Sequence, residues 1–141
     1  MVNKERIDLS IIIPTIGRKN ELIYLLKSIV YCDIKLSTEV IIIDQNPIGF
    51  LDGMLEEFNS VLNINHQLVT FKGLSKAKNF GAKLANGEYF TFPDDDCKIF
   101  SDTYSIAFKT IESKNVDLVF GRCIDVNGID SVLKFKKEYY F

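Results

Sequence analysis

Apolar residues along this chain alternate between two periods. Ile7–Ile13 is a β-branched run ended by Pro14, the pattern of a buried strand. From Asn20 the spacing changes: Leu22, Ile23, Leu25, Leu26, Ile29 and Val30 recur at helical intervals, with Asn20 or a near neighbour as the expected cap. Glu39–Ile43 predicts a second buried strand, running into the polar cluster Asp44-Gln45-Asn46-Pro47. Residues 50–60 carry a weaker helical pattern, and Gln67–Lys72 predicts a third strand. Ser75 opens a helix over Lys76–Asn86 with Ala77, Phe80, Gly81, Leu84 and Ala85 on its apolar side, and Gly87 is expected to close it in a left-handed conformation. Glu88–Phe92, a helix over 102–114 and Val116–Phe120 complete the series.

Strand, helix, strand, helix, strand is the order of an α/β fold: a mainly parallel, Rossmann-like sheet with helices on both faces. Ligands of such sheets bind outside the carboxyl ends of the strands. Three polar clusters follow directly on predicted strands: Pro14-Thr15, Asp44-Gln45-Asn46 and Asp94-Asp95-Asp96. A parallel sheet would set all three along one rim.

Composition narrows this picture without redirecting it. At 141 residues the chain is expected to be a single domain, 1–141, large enough for a core without staples. A net charge of −2 leaves no basic footprint for a nucleic acid partner. Cys32, Cys97 and Cys123 form no Cys-x-x-Cys pair, and His66 is the one histidine, so zinc is not expected and the cysteines are expected as reduced, buried or semi-buried thiols. The N-terminus is charged and leads into a strand rather than a leader-like apolar stretch, and no apolar run approaches a membrane span.

The acidic triplet carries the sharpest chemistry. Three adjacent carboxylates repel one another and resist joint burial, and a hard divalent cation that binds oxygen relieves that repulsion. An extended loop would put Asp94 and Asp96 on one side and Asp95 on the other. By itself the triplet is equally a solvated acidic turn.

Its context is more specific. The stretch from Gly73-Leu74-Ser75-Lys76-Ala77-Lys78-Asn79-Phe80-Gly81 through Gly87-Glu88-Tyr89 to Asp94-Asp95-Asp96 resembles the central signature of family 2 glycosyltransferases: a Gly-x-Ser-x-Ala-Arg-Asn-x-Gly helix, then Gly-x-Tyr, then a strand ending in acids. Ser10-Ile11-Ile12-Ile13-Pro14-Thr15 and Glu39-Val40-Ile41-Ile42-Ile43-Asp44-Gln45-Asn46 resemble the first two strands of the same family, in order. The resemblance covers residues 8–125 and implies a GT-A fold that binds a nucleotide-diphosphate sugar, typically a UDP-sugar. It implies Mn²⁺ or Mg²⁺ as cofactor and transfer with inversion to a glycan or lipid-linked acceptor, in bacterial surface polysaccharide synthesis. Pro14 and Thr15 match positions along the nucleotide, and Asp44 matches the carboxylate that accepts from the nucleobase. Asp95 and Asp96 match the acidic positions that reach the sugar and the metal, with Asp94 opening the motif; the division stays open, with Asp94 and Asp95 set toward the sugar and Asp96 with Asp94 toward the metal as one assignment. The family has Arg where this chain has Lys78, which keeps the charge without the two-pronged donor geometry; Lys78 is either a diphosphate ligand or a solvated helix residue.

Other readings stay open at this level. Asn79 and Gly81 could serve helix–sheet packing alone, and Arg18 reads as a surface charge with phosphate binding as the alternative. His66 reads as a surface residue. The family's general base lies well downstream of the triplet; after Gly121-Arg122 only Asp125, Asp130 and Glu138 follow, none in a motif for it, so the acceptor-binding part is expected to be missing. That expectation brings a second function class, a nucleotide-sugar-binding module without turnover, and self-association through exposed apolar surface. A receiver domain is disfavoured because Pro14-Thr15-Ile16-Gly17 lacks the acidic pair after the first strand, and a dinucleotide-binding domain because no Gly-x-Gly-x-x-Gly follows it. The basic and aromatic residues 134–141 suggest a strand or a frayed end, with a peripheral membrane contact as the alternative. The expected location is the cytoplasm, with the inner face of the membrane as the variant of that reading.

Overall fold

A computed structural model describes residues 6–125 and 127–129. Four strands, β1 (Leu9–Thr15), β2 (Thr38–Asp44), β3 (Ile64–Leu68) and β4 (Tyr89–Thr91), form one sheet in the order β3-β2-β1-β4, every pair parallel. Helices α1 (Lys19–Val30), α2 (Leu74–Leu84) and α3 (Thr103–Lys114) intervene or follow. The chain divides into two compact units, one ending at Ser105 and the other beginning at Ile106. All four strands, α1 and α2 lie in the first.

β1 and β2 are buried along almost their whole length because both faces of the sheet are covered. On one face Ile12, Ile41 and Ile43 pack with Ala77 of α2, joined at the margin by Val69, Phe71, Phe80 and Leu84. Gly81 lets that helix descend: a Cβ there would collide with Ile12 Cγ2. The other face presents Ile11, Ile13, Val40 and Ile42, and α1 supplies the fully buried Leu22, Leu25 and Leu26 together with Ile29. Continuous β-branched runs, rather than alternating ones, are what a doubly covered parallel sheet requires.

Several boundaries differ from the sequence pattern, each for a physical reason. β1 continues through Pro14 instead of stopping there. β4 pairs with β1 only as far as Ile11, so the missing N–H of Pro14 breaks no ladder bond on that side. β3 lies at Ile64–Leu68 rather than Gln67–Lys72, since its register is set by β2, with Val40 opposite Ile64 and Asp44 opposite Leu68. Residues 50–60 contain only a 3-10 turn, Leu55–Phe58, among turns. The N-cap position of α1 is Arg18, a near neighbour of Asn20, with no side-chain capping bond, and α2 starts after Gly73, whose φ of 127° suits glycine. Gly87 does not close α2 in a left-handed conformation. It is needed because Ser10 N and Leu9 C lie within 2.6 and 2.8 Å of where its Cβ would be. Val116–Phe120 forms no strand; Leu118 and Phe120 are exposed and the run has no paired neighbour among the described residues. The residues 134–141 and the candidates Asp130 and Glu138 lie outside the described residues.

Candidate functional site

The order β3-β2-β1-β4 places the topological switch between β1 and β4: the chain leaves β1 toward β2 on one side, and β4 joins on the other. Loops leaving the carboxyl ends of these two strands diverge and open a crevice, the usual ligand position in such sheets. An open cleft of about 510 Å³ lies there, lined by Pro14, Thr15, Ile16, Arg18, Gln45, Gly73, Leu74, Asp94, Asp95 and Asp96.

The three strand-end clusters are stitched to one another. Thr15 lies level with Asp44 in the ladder, and Gln45 N donates to Thr15 O at 3.0 Å. Asp44, almost wholly buried, accepts through Oδ1 from the backbone N of Asn46 at 2.9 Å and its Nδ2 at 2.7 Å. Oδ2 of Asp44 lies 3.0 Å from His66 Nε2. Asn46 Oδ1 accepts from Gly17 N at 2.5 Å, tying the β2 end to the β1–α1 loop. Gln45 Oε1 accepts from Gly73 N at 2.7 Å, tying it to the start of α2. The hydroxyl of Thr15 is buried without a hydrogen-bond partner.

Across the cleft, the acidic triplet is not extended. Cys97 N donates to Asp94 O at 3.1 Å, closing a turn over residues 94–97. That turn overrides the alternation expected from the sequence. Asp95 and Asp96, not Asp94 and Asp96, converge: Arg18 Nη1 lies 3.0 Å from Asp95 Oδ1 and 2.6 Å from Asp96 Oδ2. Asp95 is buried and Asp96 exposed. Asp94 faces Lys78 Nζ at 3.2 Å instead. The hydrogen bond it donates to Asp95 and the charges of Asp96 and Asp95 hold the Arg18 guanidinium protonated above its ordinary range.

The structure thus gathers Pro14, Thr15, Asp94, Asp95 and Asp96 around one cleft, with Lys78 bound to the triplet and Asp44 at the same strand level. Arg18, Gln45, Asn46 and His66 belong to the same assembly. Arg18 is an exposed charge, as read, but one paired with the triplet, and His66 is exposed, as read, with its ring nitrogen against Asp44. Only the strand register reveals His66, by setting it opposite Ile42 and two positions from Asp44's partner Leu68. Arg18 carried a legible signal, a cation at the end of the loop after β1.

Three further features bear on chemistry. The described residues contain no cluster of three or more His, Cys, Asp or Glu arranged to hold a metal ion. Two carboxylates on one cationic nitrogen nevertheless fit a hard cation that completes its shell with phosphate oxygens and water, the usual mode of Mg²⁺. Asp125, in the second unit, accepts from Ile129 N and Asn127 N through Oδ1, and chiefly the first of these lowers its pKa. That is the opposite of what a general base requires.

A glycine-paced α2 on a parallel sheet, with a switch-point cleft flanked by one buried aspartate and an acidic turn, defines an open α/β domain with its ligand crevice at the carboxyl ends of the strands. The profile of glycosyl transferase family 2 matches residues 10–139, and the chain belongs to that family. It is 30% identical over 122 residues to the poly(ribitol-phosphate) beta-N-acetylglucosaminyltransferase TarS of Staphylococcus aureus, in strains Mu50 and MW2. That match covers 84% of this chain and 21% of TarS, so the chain spans about a fifth of the length of these curated relatives. The crystal structure of S. aureus TarS is similar with a TM-score of 0.72 and 25% identity, over 84% of this chain and 23% of that one. TarS 1-349 in complex with UDP-GlcNAc is similar with a TM-score of 0.70 and 26% identity, over 77% of this chain and 32% of that one. The GT-A sheet expected from the sequence is the sheet observed.

Proposed function

We propose that this chain is the donor-binding part of a glycosyltransferase that uses a UDP-sugar and a divalent cation and transfers the sugar with inversion. The observation that carries this reading is the single cleft between Thr15 and the Asp95–Asp96 pair, at the switch point of a family 2 domain. A structural relative with UDP-GlcNAc bound supports the nucleotide class.

In this reading Pro14 and Thr15 lie along the nucleotide, and Asp44 accepts from the ring N–H of the base. Asp44 is rigid enough for that task, since Asn46 and His66 hold both of its oxygens. Asp95 and Asp96 would hold the Mn²⁺ or Mg²⁺, which would supply positive charge to a departing diphosphate. Asp94 and Lys78 form the flank: Lys78 is close enough to exchange Asp94 for a phosphate oxygen. The convergence of Asp95 and Asp96 on Arg18 supports these two as the cation pair in this proposal, with Asp94 on the flank. The acceptor, a glycan or lipid-linked glycan, and the base that deprotonates it belong to the proposal for the whole enzyme, acting in the cytoplasm on a bacterial surface polysaccharide.

A thermal-shift titration tests it. UDP with Mn²⁺, at 100 times its dissociation constant, should stabilise the chain by about 2.7 kcal/mol. The shift should be absent with chelator and in Asp96→Ala, and GDP should give less than UDP. Equal shifts with and without chelator would remove the cation from the reading, and no shift with any nucleotide would remove the donor site.

A further inference from the structure

We infer that Arg18 is an exchangeable counter-ion, which closes the Asp95–Asp96 pair in the ligand-free chain and moves to the donor diphosphate when a divalent cation takes its place. The inference rests on the donor-site reading above and adds a residue that couples the two ligands.

The argument begins with exclusion. One guanidinium nitrogen lies 3.0 Å from an Asp95 oxygen and 2.6 Å from an Asp96 oxygen. A cation ligated by those same oxygens at about 2.1 Å would stand where that nitrogen stands. Two cations cannot share the position, so Arg18 and the divalent ion compete for it. Without either, a buried Asp95 would lie beside a second carboxylate with no neutralising charge, which is costly. Arg18 therefore performs, in the free chain, the electrostatic task that the metal performs in the complex.

The next step is where the displaced guanidinium goes. Arg18 is the N-cap residue of α1 and its side chain makes no capping bond, so its backbone is anchored while the side chain is released from helix duty. The side chain is half-exposed and lines the same cleft as Thr15, Gln45 and Gly73. A diphosphate in that cleft is the nearest anion for the released side chain, and a planar guanidinium binds phosphate oxygens in two-pronged fashion. Lys78, held by Asp94, has a point charge and no such geometry. Metal binding thus frees a phosphate ligand, and diphosphate binding draws Arg18 off the metal's ligands. By linkage each ligand tightens the other.

The experiment measures Mn²⁺ affinity of the 141-residue chain by paramagnetic resonance of free Mn²⁺, with and without saturating UDP, in wild type, Arg18→Gln, Arg18→Lys and Asp96→Ala. In wild type, UDP should tighten Mn²⁺ by roughly tenfold, within the usual range of coupling between sites. Arg18→Gln should bind Mn²⁺ alone about tenfold more tightly than wild type, bind UDP more weakly, and lose most of the coupling. Arg18→Lys, which keeps the charge without the fork, should lie between and serves if the glutamine variant is poorly folded. A merely structural Arg18 would weaken both ligands on mutation. An Arg18→Gln chain that binds Mn²⁺ no more tightly than wild type overturns the exchange. Asp96→Ala separates this from failure of the donor site: it should abolish Mn²⁺ binding in every background. If it does not, the cation site assigned under Proposed function falls, and the exchange falls with it.

Discussion

Ser10 sits at the centre of a small buried network whose members were not visible as a group in the sequence. Its hydroxyl donates to Glu39 Oε1 at 2.7 Å and accepts from Gly87 N at 2.9 Å. Glu39, buried at the start of β2, also accepts from Asn86 N at 2.7 Å and from Asn86 Nδ2. A buried carboxylate with no cation paired to it among the described residues is tolerated here because several donors satisfy it. The network binds β1 and β2 to the α2–β4 connection, and so fixes where β4 begins its run toward the acidic turn. Glycine at 87 is part of the same arrangement. Gly87→Ala would press a methyl group onto backbone atoms of Leu9 and Ser10, which cannot yield. Gly81→Ala would meet side-chain atoms of Ile12 and Ile43, which can partly shift. Denaturant unfolding should show Gly81→Ala destabilised by about 1–3 kcal/mol, the usual cost of overpacking, and Gly87→Ala by more. The glycines themselves were legible; the reason for Gly87 was not, because a close approach between segments distant in sequence has no local signature.

Among the elements, α1 and α2 illustrate two ways of covering a sheet. α1 uses large side chains, with Leu22, Leu25 and Leu26 fully buried. α2 uses small ones, Ala77 and Gly81, and approaches closely. The loops at their amino ends feed the site, Gly17-Arg18 before α1 and Gly73 before α2, so packing of each helix sets the cleft walls. Leu25→Ala should cost about 2–5 kcal/mol in chemical denaturation, as for other buried leucines. Because it acts through packing and does not line the cleft, its UDP-induced stabilisation should persist where the variant remains folded. The displacement of β3 is informative at this scale. Leu68-Val69-Thr70-Phe71 has the composition of a strand, yet Val69 and Phe71 pack at the margin of the α2 cluster, and Phe80 meets Phe71 edge-on with ring centroids 5.6 Å apart. The same apolar residues satisfy burial in either role, so local pattern could not choose between strand and loop. The pairing with β2 made the choice.

For the whole molecule, strand order is what turns three separated motifs into a site. Residues 16–43 separate the first motif from the second and 47–93 the second from the third, and only parallel pairing with β1 at the centre brings their loops to one rim. The opposite rim holds a second, smaller cavity of about 280 Å³ lined by Ile29, Cys32, Leu36, Thr38, Val61 and Asn63 among others. The two ends give a discriminating measurement. Saturation with UDP and Mn²⁺ should slow amide hydrogen exchange at residues 16–18, 45–46, 73–74 and 94–97, and leave 36–38 and 61–63 unchanged. Protection confined to the latter would relocate the ligand to the wrong end of the sheet.

The sequence by itself determined the class of fold, since β-branched runs alternating with amphipathic helices can bury their apolar surface efficiently only as a covered parallel sheet. It determined the family too, because four motifs in a fixed order are specific where none is alone, and it named the cleft residues Pro14, Thr15, Asp94, Asp95 and Asp96. Tertiary structure decided which of these face one another. The turn at Asp94–Cys97 paired Asp95 with Asp96, the β1–α1 loop delivered Arg18 to that pair, and the register of β3 brought His66 to Asp44. Each of those outcomes depends on distances between segments far apart in the chain, which hydrophobic periodicity and local propensity do not encode.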